Sequence, residues 1–466
     1  MTDEALIQVV PSPRQLKLQK MEFYAFVHFT VNTFTDREWG DGTENPAVFN
    51  PAALNPDQWV AAVREAGMKG LILTCKHHDG FCLWPSRYTE HSVKNSPCKK
   101  DVVRETADAC RRGGIAFGVY LSPWDRNQPL YGTGTPYDDY FVHQLTELLT
   151  NYGEIFSVWL DGACGEGPNG KKQYYDWERY YRVVRSLQPN ACIHVCGPDV
   201  RWCGNEAGNT RPSEWSVVPK RCADTEKIAS MSQQTDDEAF RLRTIRAQDM
   251  DLGSRGILRD ERELIWYPAE VNTSIRPGWF WHEAENDQVK PLDKLVQIYL
   301  NSVGGNATFL LNIPPDRRGL FHENDVQRLK ELGAYLRLSF QTNLMQEASA
   351  IIAPEAQKGC EIENVVSDDD GYYFPARYSG ALDIHVRWEK LQRIQFVVLR
   401  EHLPLSQRVE QFEIWVEQNG IDECLYRGTT VGNKRIVKLE GCEANAVTLR
   451  ITDSRETPVL EQIAFY

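Results

Sequence analysis

The stretch VWLDGACGEGPNGKK (158–172) decides how the chain is read: an apolar run ends in an aspartate and then opens into glycines. Gly165, Gly170 and Lys171 have the G-x-x-x-x-G-K spacing of a phosphate loop, but Lys172 stands where that motif needs Ser or Thr to hold magnesium. Pro168 also removes one backbone N–H donor from the cradle that phosphate would need. The stretch therefore reads as a buried strand ending at Asp161. Its carboxylate either faces a pocket or caps a turn, as strand-end Asp-Gly pairs do.

Outward from it, similar runs recur: FYAFVHFTVN (23–32), GLILTCKHHDG (70–80), AFGVYLSP (116–123), ACIHVCGP (191–198), LIWYPAEVN (264–272) and NATFLLNIPP (306–315). Between them lie stretches with apolar positions at i, i+3 and i+4, such as 56–67, 101–114, 137–153 and 291–305. Near-continuous apolar strands alternating with helices indicate a parallel sheet covered on both faces. Seven such runs fit a (β/α)8-like, TIM-type barrel with one strand unread, expected near 230–250. A doubly wound open sheet is the rival. It gathers its chemistry at one switch point, whereas here His28, His77, His78, Tyr120, Asp161, Asp199 and Glu270 lie at or just after many strand ends.

After Gln341 the helical period stops and short alternating runs appear at 382–390, 394–401, 412–420, 435–441, 446–453 and 460–466. This pattern predicts a C-terminal β-sandwich or jelly roll. The organisation expected is a catalytic barrel over 1–345 and the sandwich over 346–466.

The net charge of −13 argues against a nucleic-acid partner, which needs a basic footprint. No apolar run reaches the roughly 18–20 residues of a membrane span. The twelve cysteines include no C-x-x-C pair and read as buried free thiols.

Three chemistries compete for the strand ends. A metal site could use His77 and His78, but neither H-x-H nor H-E-x-x-H occurs, and adjacent residues on a strand point to opposite faces. A catalytically inactive sugar-binding protein is a second possibility. The third is a glycosidase, which needs two carboxyl groups flanking the scissile bond. Asp161 would be one, with Glu166, Glu206 or Glu214 as its partner. The aromatics Trp39, Tyr120, Trp159, Trp279 and Trp281 in strand-end segments suit the apolar C–H faces of a sugar.

The pieces FYAFVHFTVNTFTDREWGDG (23–42), LTCKHHDGFCLWPSRYTEHSV (73–93), GVYLSPWD (118–125), VWLDGACGEG (158–167) and GPDVRWCGNEAG (197–208) together resemble α-L-fucosidases of glycoside hydrolase family 29. The resemblance implies a barrel followed by a β-sandwich, and a retaining mechanism with no metal or organic cofactor. By the same resemblance Asp161 is the nucleophile, and His28, His77 and His78 bind fucose hydroxyls. Glu38 and Trp39 match the family's Glu-Trp pair, Tyr120 and Trp159 line the pocket, and Trp279 or Phe280 is expected to wall the C6 methyl. The NEAG stretch resembles the subgroup cleaving α-1,3/1,4-linked fucose from branched, Lewis-type glycans, with Glu206 as acid/base. Asp199, Arg201 and Glu44 are expected at the galactose branch. The acid needs a raised pKa, and the two carboxyls a separation of roughly 5–5.5 Å. The implied partner is a fucosylated oligosaccharide or glycoconjugate. The terminal part, from SDDDGYYFPA (367–376), resembles a galactose-binding-like module, in which Asp368–Asp370 could bind calcium or form an exposed acidic turn. The start, MTDEALIQVVPSPRQ, lacks the basic end and apolar core of a signal peptide. The chain thus reads as cytoplasmic, or as periplasmic or secreted if a leader was trimmed.

Overall fold

The structure is a computed structural model that describes residues 1–232, 250–366, 371–418 and 420–466. Most of the strand expected near 230–250 and the Asp368–Asp370 turn lie outside the described residues.

The first sheet contains β1 (Phe23–Val27), β2 (Gly70–Lys76), β3 (Ala116–Leu121), β4 (Ser157–Leu160), β5 (Cys192–Val195) and β6 (Arg201–Trp202). An antiparallel pair follows, β7 (Val217–Pro219) with β8 (Leu264–Trp266), and then β9 (Ala269–Ser274) and β10 (Ala307–Asn312) return to the first sheet. Its eight strands run in the order β5-β4-β3-β2-β1-β10-β9-β6, all parallel. The two ends of that order meet where Val195 N donates to the Val200 carbonyl (3.1 Å), beside a single His194–Val200 bridge, so the barrel is nearly closed. The eighth position belongs to Arg201–Trp202, between the apolar runs at 191–198 and 264–272 and ahead of the stretch where the missing strand is expected. Two residues are too few to show a period. The run 264–272 is split because Pro268 has no N–H to continue a ladder, leaving β8 on one side and β9 on the other.

Every residue of β1, β2 and β10 is buried, as sheets covered on both faces require. The helix Val102–Gly113 illustrates the outer layer. Asp101 caps its N-terminus by accepting from Arg104 N (2.9 Å), Gly114 ends it at φ 68°, and Val102, Val103, Ala107 and Cys110 turn inward. All twelve cysteines are free, seven of them buried.

The second sheet contains β11 (Ala350–Ile352), β12 (Leu382–Glu401), β13 (Val409–Gln418), β14 (Ile421–Gly428), β15 (Arg435–Ser454) and β16 (Leu460–Phe465). Its order is β11-β12-β15-β13-β14, with β16 on β12, all antiparallel. Four expected short strands are two long ones. Gly441 makes no turn: at φ 63° it sits in a bulge between the pairs Phe396–Lys438 and Ile394–Cys442. β13 pairs with the C-terminal half of β15, β16 with that of β12, and the inward side chains of all these strands form one apolar cluster. Glu22 joins this domain to the barrel through Arg400 and Lys434 (3.0 Å).

Candidate active site

At the C-terminal ends of the barrel strands, Phe26, His28, Trp39, His77, His78, Trp159, Asp161, Ala163, Val195, Trp202, Glu206, Asn272 and Trp279 line one cleft. Barrel enzymes place their chemistry on this face. His28, His77–His78 and Asp161 each follow the last residue of β1, β2 and β4. The two histidines both reach the cleft because the pleat ends at Lys76 and the chain turns, with Gly80 N bonded to the His77 carbonyl (3.0 Å) and Gly80 at φ 76°. Their ring centroids are 4.1 Å apart.

Asp161 is held from two sides: Tyr120 donates its hydroxyl to Oδ2 (2.9 Å) and Ala163 N donates to Oδ1 (2.8 Å). Glu206 Oε2 accepts the Trp279 indole N–H (3.1 Å). The histidine tautomers follow from their partners. Asn312 Nδ2 donates to Ser274 Oγ and to the Trp279 carbonyl, so its Oδ1 accepts from His28 Nδ1–H (2.8 Å). Ser122 donates its hydroxyl to the Trp124 carbonyl, so its oxygen accepts from His78 Nδ1–H (2.7 Å). Burial pushes both imidazoles down to about 4, so each is neutral at neutral pH, with a bare Nε2 lone pair. That of His78 stands 3.9 Å from Asp161 Oδ2. His77 is lowered too, by burial and by its two histidine neighbours.

The aromatics are anchored as well. Trp159 donates its indole N–H to Glu270 (2.8 Å), a carboxylate buried inside the barrel that also bonds His194 Nδ1 (2.8 Å) and Tyr24. Trp39 stands edge-on to His78 at 5.5 Å and to Trp124 at 5.6 Å. Phe280 is buried edge-on against His28 and His77.

Several expected residues are placed elsewhere. Glu38 lies behind the cleft, where its carboxylate accepts Trp279 N (2.9 Å), Phe280 N (3.1 Å) and His282 Nε2 (2.7 Å) and so holds the loop bearing Trp279. Tyr120 is fully buried and acts on Asp161 instead of lining the cleft. Trp281 donates its indole N–H to Asn286 (3.1 Å), away from the cleft. Glu166 is exposed and does not line the cleft; its carbonyl accepts from Trp124 Nε1 (3.0 Å). Glu214 is buried between Arg201 (2.9 Å) and Arg211 (3.2 Å). Burial pushes its carboxyl up, but the two guanidiniums outweigh that and hold it below the usual range, the opposite of what an acid catalyst needs. None of the three branch candidates faces the cleft. Asp199 is buried with Arg14 (2.9 Å) and Arg185, Arg201 is taken by Glu214, and Glu44 accepts Asp41 N (2.7 Å) and Gly42 N (2.9 Å).

Residue-type reasoning did not single out Phe26, Ala163, Val195 or Asn272, and Trp202 entered only within a quoted stretch. Asn272 accepts the Trp202 indole N–H (2.9 Å). Val195 has φ 64°, an uncommon conformation for a β-branched residue, at the closing seam of the barrel. Among the described residues no group of three or more His, Cys, Asp or Glu is arranged to hold a metal ion, and no helix is long and apolar enough to cross a membrane.

A barrel with two carboxylates, neutral histidines and tryptophans around one cleft at its mouth suits a sugar-cleaving hydrolase. The family described as "Alpha-L-fucosidase" matches residues 13–339. Alpha-L-fucosidase 1 of Arabidopsis thaliana is 38% identical over 471 residues, covering 98% of this chain and 87% of its own. A solved glycoside hydrolase 29 family member from an unknown rumen bacterium superposes with a TM-score of 0.80 at 36% identity, covering 98% of this chain and 77% of that one. A Ruminococcus gnavus GH29 fucosidase solved in complex with fucose gives 0.84 at 28% identity, covering 98% and 95%. The chain belongs to the alpha-L-fucosidase family of glycoside hydrolases.

Proposed function

We propose a retaining, exo-acting α-L-fucosidase in which Asp161 is the nucleophile and Glu206 the acid/base, acting on terminal α-1,3/1,4-linked fucose of branched, Lewis-type glycans. The observation that carries this reading is that Asp161 and Glu206 line one cleft together with two neutral imidazoles. In the first step Asp161 attacks the anomeric carbon while Glu206 gives its proton to the departing glycosidic oxygen. The Tyr120 and Ala163 donors hold the Asp161 carboxylate in place. In the second step a water gives its proton to Glu206, attacks the same carbon, and releases fucose and the Asp161 carboxylate. His28 and His78 accept sugar hydroxyls at Nε2. Trp39, Trp159 and Trp279 pack the C–H faces, Trp279 walling the methyl group.

Residues 1–345 are assigned as the catalytic unit and 346–466 as a galactose-binding-like module. The linkage preference rests on the GPDVRWCGNEAG stretch. Fucose release from Lewis a, Lewis x, 2′-fucosyllactose and an aryl fucoside tests the proposal. Rapid release from both Lewis trisaccharides and slow release from 2′-fucosyllactose is expected. Comparable rates on all three oligosaccharides would contradict the linkage.

A further inference from the structure

Residues 203–214 leave β6, carry Glu206 to the cleft and return to the domain junction. From the barrel side the loop is closed on itself: Arg211 Nη1 donates to the Cys203 carbonyl (3.3 Å) and to Glu214 Oε1 (3.2 Å), while Glu214 Oε2 accepts from Arg201 of β6 (2.9 Å). Asn205 shapes the tip by accepting Ala207 N and Asn209 N at Oδ1, both at 3.1 Å.

The second domain holds the other side. Arg435, the first residue of β15, donates Nη1 to the Pro212 carbonyl (3.1 Å) and Nε to the Thr430 carbonyl of its own domain (2.9 Å). Ser213 and Thr429 meet through their hydroxyls. Asn433 N donates to Asn306 Oδ1 (2.7 Å), whose Nδ2 donates to the Glu214 carbonyl (2.6 Å).

Arg435 is an expensive way to make such a joint. It is 4% exposed, and among the described residues its Nη2 has no hydrogen-bond partner and no carboxylate neutralises it. Burying an uncompensated cation costs more than packing an apolar side chain of similar volume. Its planar fork, however, bonds two carbonyls in two domains at once, which no apolar residue can do.

We infer that Arg435 is a positioning residue through which the second domain fixes the Pro212 end of the loop and so holds Glu206 at the cleft. The inference rests on Glu206 being the acid/base.

Arg435→Met tests it. kcat/KM on a fucosylated trisaccharide, whose leaving group needs a proton, should fall about tenfold, and on an aryl fucoside with a nitrophenolate leaving group by less than about twofold. Equal losses on both substrates, or no loss on either, would overturn the inference. If Arg435→Met does not fold, Arg435→Lys keeps the charge but not the fork, and the same substrate split decides. Glu206→Gln run alongside separates the two ideas. If it loses both substrates equally, the acid/base assignment fails. If it is selective and the Arg435 variant is not, the inference alone fails.

Discussion

The two sides of the barrel mouth are built differently. His28, His77–His78 and Asp161 directly follow β1, β2 and β4, so strand backbone aims those side chains, and residues on or just after adjoining strands lock His28, His78 and Asp161. On the other side β5 and β6 have four and two residues, and Glu206 comes from the loop that follows. The strand ends are locked from within the barrel; the loop is tied by Arg211, Arg201 and Asn306 and, from the second domain, by Arg435. On the strand side, function should therefore respond to the acting side chain and its direct partners. On the loop side it should also respond to distant residues.

The largest expected effect is on the strand side. Asp161→Ala should lower kcat by at least ~10³-fold on every substrate, since no covalent intermediate can form. Retention of a sizeable fraction of kcat would place the nucleophile elsewhere. Next, Glu206→Gln should cost ~10²–10⁴-fold on oligosaccharides and far less on activated aryl fucosides. A smaller loss is expected for Ser122→Ala. Without its acceptor, His78 is no longer held as the Nδ1–H tautomer, and kcat/KM should fall about 3–10-fold with the fold intact. Unchanged kinetics would show that Ser122 does not set the tautomer.

The smallest effect is pH-dependent. His282 bonds Glu38 (2.7 Å) and Asp36 (2.8 Å), and these carboxylates raise it from 6.5 to about 9, led by the Glu38 bond. A raised folded-state value means this contribution is complete below 6.5 and lost as pH rises through about 9. Because Glu38 also holds Trp279 N, KM should climb as pH passes that value, and His282→Gln should flatten the climb. An identical pH profile in the variant would remove His282 from the account.

What was legible in the sequence follows the same division. Long apolar strands with polar ends, as at 70–80 and 156–162, advertise both the barrel and its histidines and aspartate, because period and position sit in one short window. The two-residue β6 has no period to read. The split at Pro268 and the bulge at Gly441 turned on chain breaks that look alike from sequence: one ends a strand, the other lets it continue. Partners far along the chain were the least legible. Asp199 looks like a pocket carboxylate until Arg14, 185 residues before it, reaches it. Glu206 and Glu214 share a loop, but two arginines enclose the second, while the first meets the Trp279 indole at the cleft. The resemblance of GPDVRWCGNEAG, not residue type, pointed to the first.

The central claim is that Asp161 becomes covalently bonded to fucose. Incubation with a 2-fluoro-fucosyl fluoride, which slows breakdown of the glycosyl-enzyme, followed by proteolysis and mass spectrometry, tests it directly. The prediction is one added fluorofucosyl group on the peptide containing Asp161. Label on a peptide lacking Asp161, or turnover with inversion and no label, would contradict the account.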